Sequence, residues 1–103
     1  MEDNEFFDLV EGIFNNIEDQ IDEMEFDIDI DVSGGLLSIL FPEGSSCVLS
    51  KQVANHEIWV AAKSGGFHLQ HKDNNWVCST TGENLSTLLS RVFTEQLGVE
   101  VSL

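Results

Sequence analysis

The stretch Phe26-Asp27-Ile28-Asp29-Ile30-Asp31-Val32, residues 26–32, alternates apolar and acidic side chains without a break. Successive side chains of a strand point to opposite faces. The pattern therefore predicts a strand that buries Phe26, Ile28, Ile30 and Val32 and presents Asp27, Asp29 and Asp31 on its other side. The residues before it follow a different period. From Asn4 to Met24 the apolar residues Phe6, Leu9, Val10, Ile13, Phe14, Ile17, Ile21 and Met24 recur at intervals of three and four, the stripe of an amphipathic helix. Gly12 interrupts that stripe at a cost of roughly 1 kcal/mol relative to Ala, which a stripe of this length absorbs. The change of period at Phe26 marks the point where helix gives way to sheet.

Beyond Val32, Ser33-Gly34-Gly35 turns the chain, and Leu36 to Phe41 reads as a second strand with Leu37, Ile39 and Phe41 on one face. Pro42-Glu43-Gly44-Ser45 is a tight turn. Further strands are predicted at Cys47 to Lys51, Glu57 to Ala62, Gly66 to Gln70 and Asn75 to Cys78, separated by short polar or glycine-containing turns. These spacings suit an antiparallel meander. A second helix is predicted from about Glu83 to Leu97, with Leu85, Leu88, Leu89, Val92, Phe93 and Leu97 on one face and Gly98 as its stop. Thr80 and Glu83 have the spacing of a capping box at its start, and Val99 to Leu103 is a short tail expected to lie back on the helices.

Helix, run of strands, helix is the order of an α+β fold. We expect a two-layer α-β sandwich, with two helices packed on one face of an antiparallel sheet of about six strands and the other face open to solvent. In the strand at 57–62, Ile58, Val60 and Ala62 point one way and Glu57, Trp59, Ala61 and Lys63 the other, so Trp59 shares the open face with charges. At 103 residues the chain is long enough for one hydrophobic core and too short for two. One domain spanning 1–103 is the expectation. A hydrophobic fraction of 42%, with seven Phe and two Trp, is that of a chain that folds and not of a disordered acidic tail. No apolar run approaches the ~20 residues that cross a bilayer, and the first residues are acidic where a secretory or transit peptide would be basic. A cytoplasmic location and no membrane partner are expected. Cys47 and Cys78 lack Cys-x-x-Cys spacing and read as buried free thiols, not as a redox or zinc motif.

Charge carries the functional information. The formal net charge is −15, and it is unevenly spread. Residues 1–50 hold 14 acids and no Lys or Arg, whereas residues 51–103 hold 5 acids against Lys51, Lys63, Lys72 and Arg91. Such a field repels phosphates and anionic headgroups and attracts cations and basic protein surfaces. Nucleic acid is not an expected partner.

Within that field, Glu18, Asp19, Asp22, Glu23, Glu25, Asp27, Asp29 and Asp31 place eight acids in fourteen residues without one counter-charge. Helical spacing sets Glu18 beside Asp22 and Asp19 beside Glu23, like-charge pairs that each cost a few tenths of a kcal/mol. They also crowd a helix C-terminus, where the macrodipole disfavours anions. Selection for stability alone would have interleaved Lys, so the cluster is a candidate functional ridge. The competing reading is a solvated acidic face kept for solubility.

As metal ligands, all-carboxylate donors favour hard or borderline cations such as Fe²⁺, Fe³⁺, Mn²⁺, Co²⁺ or Ca²⁺ over zinc or copper in closed sites. Binding would be weak and partly hydrated, because alternate strand carboxylates stand roughly 7 Å apart. An EF-hand is excluded: the loop that would open at Asp27 has Val32 where Gly is required and Ser38 where Glu is required. The Glu-x-x-His pairs of ferritin-like oxidases are absent. His56, His68 and His71 lie outside the ridge and read as ordinary surface or satisfied histidines, with His68 and His71 facing opposite sides of a strand. No nucleophile motif, P-loop or dinucleotide fingerprint is present, so the chain is not expected to be an enzyme.

The acidic first helix, the Asp-x-Asp-x-Asp strand with Ser33-Gly34-Gly35, the Ile58-Trp59-Val60-Ala61 strand, Gly65-Gly66-Phe67-His68 and the final amphipathic helix together resemble frataxin, and more narrowly its bacterial form. The resemblance runs in order through essentially the whole chain. It implies a two-helix, antiparallel-sheet sandwich. It also implies that Glu18, Asp19, Asp22, Glu23, Glu25, Asp27, Asp29 and Asp31 form an acidic ridge that binds iron weakly, and that Glu18, Asp19, Asp22 and Glu23 dock on a basic patch of the cysteine desulfurase. Trp59 corresponds to a sheet tryptophan that contacts the iron-sulfur scaffold complex. Phe7 stands where bacterial relatives often carry a histidine, and Ser50, Ala54 and Glu57 replace the family's Asn, Pro and Gln, while Gln52 is retained. Trp76 also matches a family position and reads as partly buried packing. The function this implies is an iron-binding, monomeric regulator of iron-sulfur cluster assembly. An acidic nucleic-acid mimic that inhibits a DNA-binding protein and an iron-oxidising or storage protein are the alternatives.

Overall fold

The computed structural model describes residues 1–103. Helix α1 spans Asp3–Asp22. Six strands follow: β1 Asp29–Ser33, β2 Leu36–Leu40, β3 Ser46–Gln52, β4 Glu57–Ala62, β5 Gly65–Lys72 and β6 Asn75–Cys78. Helix α2, Leu85–Leu97, closes the order. The strands form one sheet in sequence order β1-β2-β3-β4-β5-β6, antiparallel at every step. Two connections are two-residue turns with positive φ at both positions, Gly34-Gly35 (57° and 81°) and Asp73-Asn74 (51° and 65°). That geometry matches the strands' right-handed twist and holds each hairpin in register.

Both helices lie on the face that carries Leu37, Ile39, Cys47, Leu49, Ile58, Val60 and Leu69, all buried. Against these, α1 contributes Phe6, Val10, Phe14, Ile17 and Ile21, and α2 contributes Leu85, Leu88, Leu89, Val92 and Phe93. Phe41 meets Phe93 edge-on at 5.0 Å, and Phe6 meets Trp76 edge-on at 6.0 Å. Trp76 is thus a core residue, 6% exposed, more deeply packed than the partly buried position expected of it.

Three local expectations are corrected. The first strand begins at Asp29, not Phe26, because the Ile28 N–H bonds back to the Phe26 carbonyl and bends the chain at Asp27. Phe26 and Val32 are 40% and 46% exposed where burial was expected, since β1 is an edge strand. Second, α1 ends at Asp22, two residues short of Met24, and its last turn tightens as the Met24 N–H bonds to the Ile21 carbonyl. Third, Asn84 caps α2, its Oδ1 accepting from the Thr87 N–H at 2.8 Å, in place of a Thr80–Glu83 box. The Cys78 N–H bonds to the Glu83 carbonyl, and Val77 bridges Asn84, so the chain is still running beside β6 at Glu83.

The tail lies on α2 in a specific way. Ser86, Ser90 and Thr94, one turn apart, take up the main chain of Val101 and Leu103. The Val101 N–H donates to Thr94 Oγ1 at 3.0 Å, that hydroxyl donates to the Val101 carbonyl at 3.2 Å, and the Leu103 N–H donates to Ser90 Oγ at 2.8 Å. The Ser86 hydroxyl donates to the Leu103 carbonyl.

Candidate functional site: an acidic ridge turning onto the open sheet face

The eight ridge carboxylates follow one continuous stretch of chain through three kinds of structure. Glu18, Asp19 and Asp22 sit on the last turns of α1, Glu23 is its C-cap, Glu25 and Asp27 lie in the connection, and Asp29 and Asp31 are on β1. Glu18 is half-buried and the other seven are exposed. The chain's ion pairs are His56–Asp3, Lys63–Glu43, Arg91–Glu83 and Arg91–Glu95. None of them involves the ridge, which stays uncompensated in three dimensions as it is in sequence.

Register fixes where the strand half looks. Asp29 stands opposite Leu40 and Asp31 opposite Ser38, the alternate positions to the buried Leu37 and Ile39. Both aspartates therefore lie on the open sheet face. Following the pairing across the sheet, Leu36, Ser50, Trp59 and His68 form one row on that same face. The ridge begins at the edge of the helix layer and turns a corner onto the face that carries Trp59, which lies three strands, or about 14 Å, from β1.

Trp59 is half-buried, not freely exposed. Its ring stacks on His68, 4.3 Å between centroids and 8° between planes, and its indole N–H donates to Glu57 Oε1 at 2.8 Å. The Gln70 amide donates to Glu57 Oε2 at 3.0 Å. These two donors, the Trp59 indole first, hold the Glu57 carboxyl below its ordinary value. Glu57, expected as a charge on the open face, is in fact only 8% exposed and serves as the anchor of the tryptophan. The signal was present in the sequence: Glu57 and Trp59 stand two apart on one strand, the spacing that puts both side chains on one face.

The histidines take structural positions. His56 contacts Asp3 at 2.6 Å and lies against the Phe6 ring, His71 packs edge-on to Trp76, and His68 faces the opposite side of β5 from His71. Cys47 and Cys78 are both buried free thiols. Burial pushes Cys47 up to about 12. At Cys78 burial is outweighed by hydrogen bonds from Thr80 and Thr81, which bring it to about 7.

Nowhere do three or more His, Cys, Asp or Glu side chains converge as a metal site would require. The donor set of the ridge fits a hard cation that keeps most of its water, met by one or two carboxylates at a time. No helix of the chain is long and apolar enough to cross a membrane.

A frataxin-like domain model matches residues 1–99. The chain is similar to the iron-sulfur cluster assembly protein CyaY of Stutzerimonas stutzeri, 42% identical over 95 residues that cover 90% of this chain and 86% of the relative. It is also similar to the CyaY of Azotobacter vinelandii, 38% identical over 98 residues, 93% of this chain and 89% of that one. Among solved structures, frataxin from Psychromonas ingrahamii superposes with a TM-score of 0.91 at 28% identity, covering 99% of this chain and 97% of that chain. A trimeric frataxin from Saccharomyces cerevisiae, complexed with ferrous iron, shares the fold at a TM-score of 0.73 and 23% identity, over 95% of this chain and 88% of that chain. A family model that matches nearly the whole chain, two curated relatives at 38% and 42% identity over most of it and a shared fold together place this chain in the frataxin-like family.

Proposed function

We propose that this chain is a non-enzymatic regulator of iron-sulfur cluster assembly, acting as a monomeric single domain in the bacterial cytoplasm. One observation carries the reading: eight carboxylates free of any ion pair, in a chain whose relatives are named for cluster assembly. The ridge attracts hydrated iron weakly through Glu18, Asp19, Asp22, Glu23, Glu25, Asp27, Asp29 and Asp31. Its helical part, Glu18 to Glu23, docks on a basic surface of the cysteine desulfurase, and Trp59 meets the scaffold side of that complex. Because exposed charges dominate the contact, affinity falls as salt is raised. Iron is cargo or signal here and the protein's part is to hold it loosely, since the ridge offers no closed coordination sphere.

The test is an NMR titration of labelled protein with Fe²⁺ under anaerobic conditions, followed by the cysteine desulfurase. The expected result is that residues 18–31 respond to both and that the two compete. Capture of the desulfurase that is unchanged after Asp19→Lys, Asp22→Lys and Glu23→Lys together would overturn the reading.

A further inference from the structure

The sheet has two edges. At β6 the outer edge is closed in part by the bridge between Val77 and Asn84, whereas β1 pairs with β2 alone and has no neighbour beyond it. β1 and β2 are joined by the two-residue turn Gly34-Gly35, with Ser33 opposite Leu36. In such a hairpin the pair flanking the turn is hydrogen-bonded, and bonded and non-bonded pairs alternate from there. Ser33, Asp31 and Asp29 therefore bond to β2, and the N–H and C=O groups of Val32 and Ile30 point outward from the sheet. The side chains sort by the same alternation. Asp29 and Asp31 stand exposed on the open face, while Ile30 and Val32 belong to the helix side. Beside Val32, between α1 and the hairpin, is a depression of about 210 Å³ whose walls include Phe7, Phe14 and Val32.

We propose that the β1 edge is a strand-docking site that takes an extended segment of a partner protein in which lysine or arginine alternates with aliphatic residues. The segment's main chain bonds to the outward groups of Ile30 and Val32, the mode by which an extended peptide adds to a sheet edge. Its basic side chains then fall on the open face beside Asp29 and Asp31. Its aliphatic side chains fall on the helix side, beside Val32 and the depression. Charge complementarity selects this occupant over a second copy of the chain. Two β1 edges brought together would set these aspartates near one another, and like charges across paired strands are destabilising. The same acids that keep the edge from self-pairing thus set the sign of the partner. The inference rests on the reading of the ridge as a partner-binding surface and adds to it a main-chain component that charge alone lacks.

The test titrates the labelled full chain with a capped five-residue peptide alternating lysine and valine, and with the same peptide N-methylated throughout, which keeps its charge and removes its amide donors. Binding is expected to shift the Ile30 and Val32 amides and to slow their hydrogen exchange. N-methylation, or Val32→Pro in the protein, is expected to weaken binding about tenfold or more through lost main-chain hydrogen bonds. Equal binding of the two peptides, or no binding at all, overturns the proposal, as does dimerisation of the chain through β1 in sedimentation. If the desulfurase still competes with Fe²⁺ on the ridge in those cases, the strand-docking inference fails alone. Loss of desulfurase competition with peptide binding retained would sink the functional reading instead.

Discussion

The Trp59 indole lies flat on the His68 imidazole while its N–H holds Glu57, so one side chain joins a surface stack to a buried carboxylate. Trp59→Phe keeps an aromatic ring on His68 and deletes the donor. It is expected to destabilise by about 1.5–3 kcal/mol, the range for a hydrogen bond to a charged group. His68→Ala, which deletes the stack and keeps the donor, is expected to cost about 0.5–1.5 kcal/mol. Urea unfolding of the two variants separates the contributions.

Acid stability depends on carboxylates with lowered pKa. Glu57 is held down by Trp59 and Gln70, and Glu83 by the Arg91 guanidinium, which forks onto it at 2.8 and 3.0 Å. A carboxyl whose folded-state value lies below its unfolded value of about 4.3 contributes stability that is complete above that value and lost as pH falls through the folded-state value. The stability difference between the parent and Glu57→Gln, or Glu83→Gln, should therefore be level at neutral pH and shrink below about pH 4.3. Thermal unfolding across pH 3 to 7 measures it. A difference that grows on acidification would contradict the assignment.

The ridge is costly to the fold that carries it. Asp22→Asn removes a like-charge neighbour of Glu18 and an anion at the end of α1, and is expected to stabilise by about 0.5 kcal/mol at low ionic strength. Added salt should raise the melting temperature of the parent more than that of the variant, because screening relieves the same repulsion. Desulfurase affinity is expected to fall in the variant that gains stability.

On α2, Thr94→Val preserves shape and deletes the hydroxyl that both accepts from and donates to Val101. The expected cost is about 1 kcal/mol. Hydrogen exchange should report it locally, with the Val101 amide losing protection while the amides of β3 and β4 keep theirs.

The two thiols should differ in rate. Cys47 is fully buried and pushed up to about 12, whereas Cys78 is brought to about 7 by Thr80 and Thr81. Alkylation near neutral pH is expected to modify Cys78 at least about tenfold faster than Cys47, with both slow because each needs a local opening. Mass spectrometry of peptides from partially alkylated protein gives the order.

Much of this was legible from periodicity. The 3.6-residue stripe before Met24 and the alternation after it gave the layer order, and β4 was read to its ends at Glu57 and Ala62. The family followed from the same segments that carried the resemblance, and matches over most of the chain bear it out. What escaped was non-local. Alternation at Phe26 to Val32 cannot reveal that β1 is an edge strand with little covering Phe26 or Val32. Thr80–Glu83 has a capping spacing, but the pairing that holds Glu83 beside β6 is a tertiary matter. Glu57 reads as a surface charge until Gln70, on the neighbouring strand, is seen to share it. The ridge residues were identifiable as a set. That two of them look onto the tryptophan's face required the register.

Every strand pairs with the one made just before it. Such a sheet can assemble hairpin by hairpin as the chain leaves the ribosome, each step closing only a short loop, which favours rapid folding. Helix α1 has no such option. It is synthesised before the strands, yet Phe6, Val10 and Phe14 have nothing to pack against until the central strands exist. Its like-charged carboxylates then keep the waiting segment dispersed, and the feature that weakens the finished fold shields its apolar stripe during synthesis.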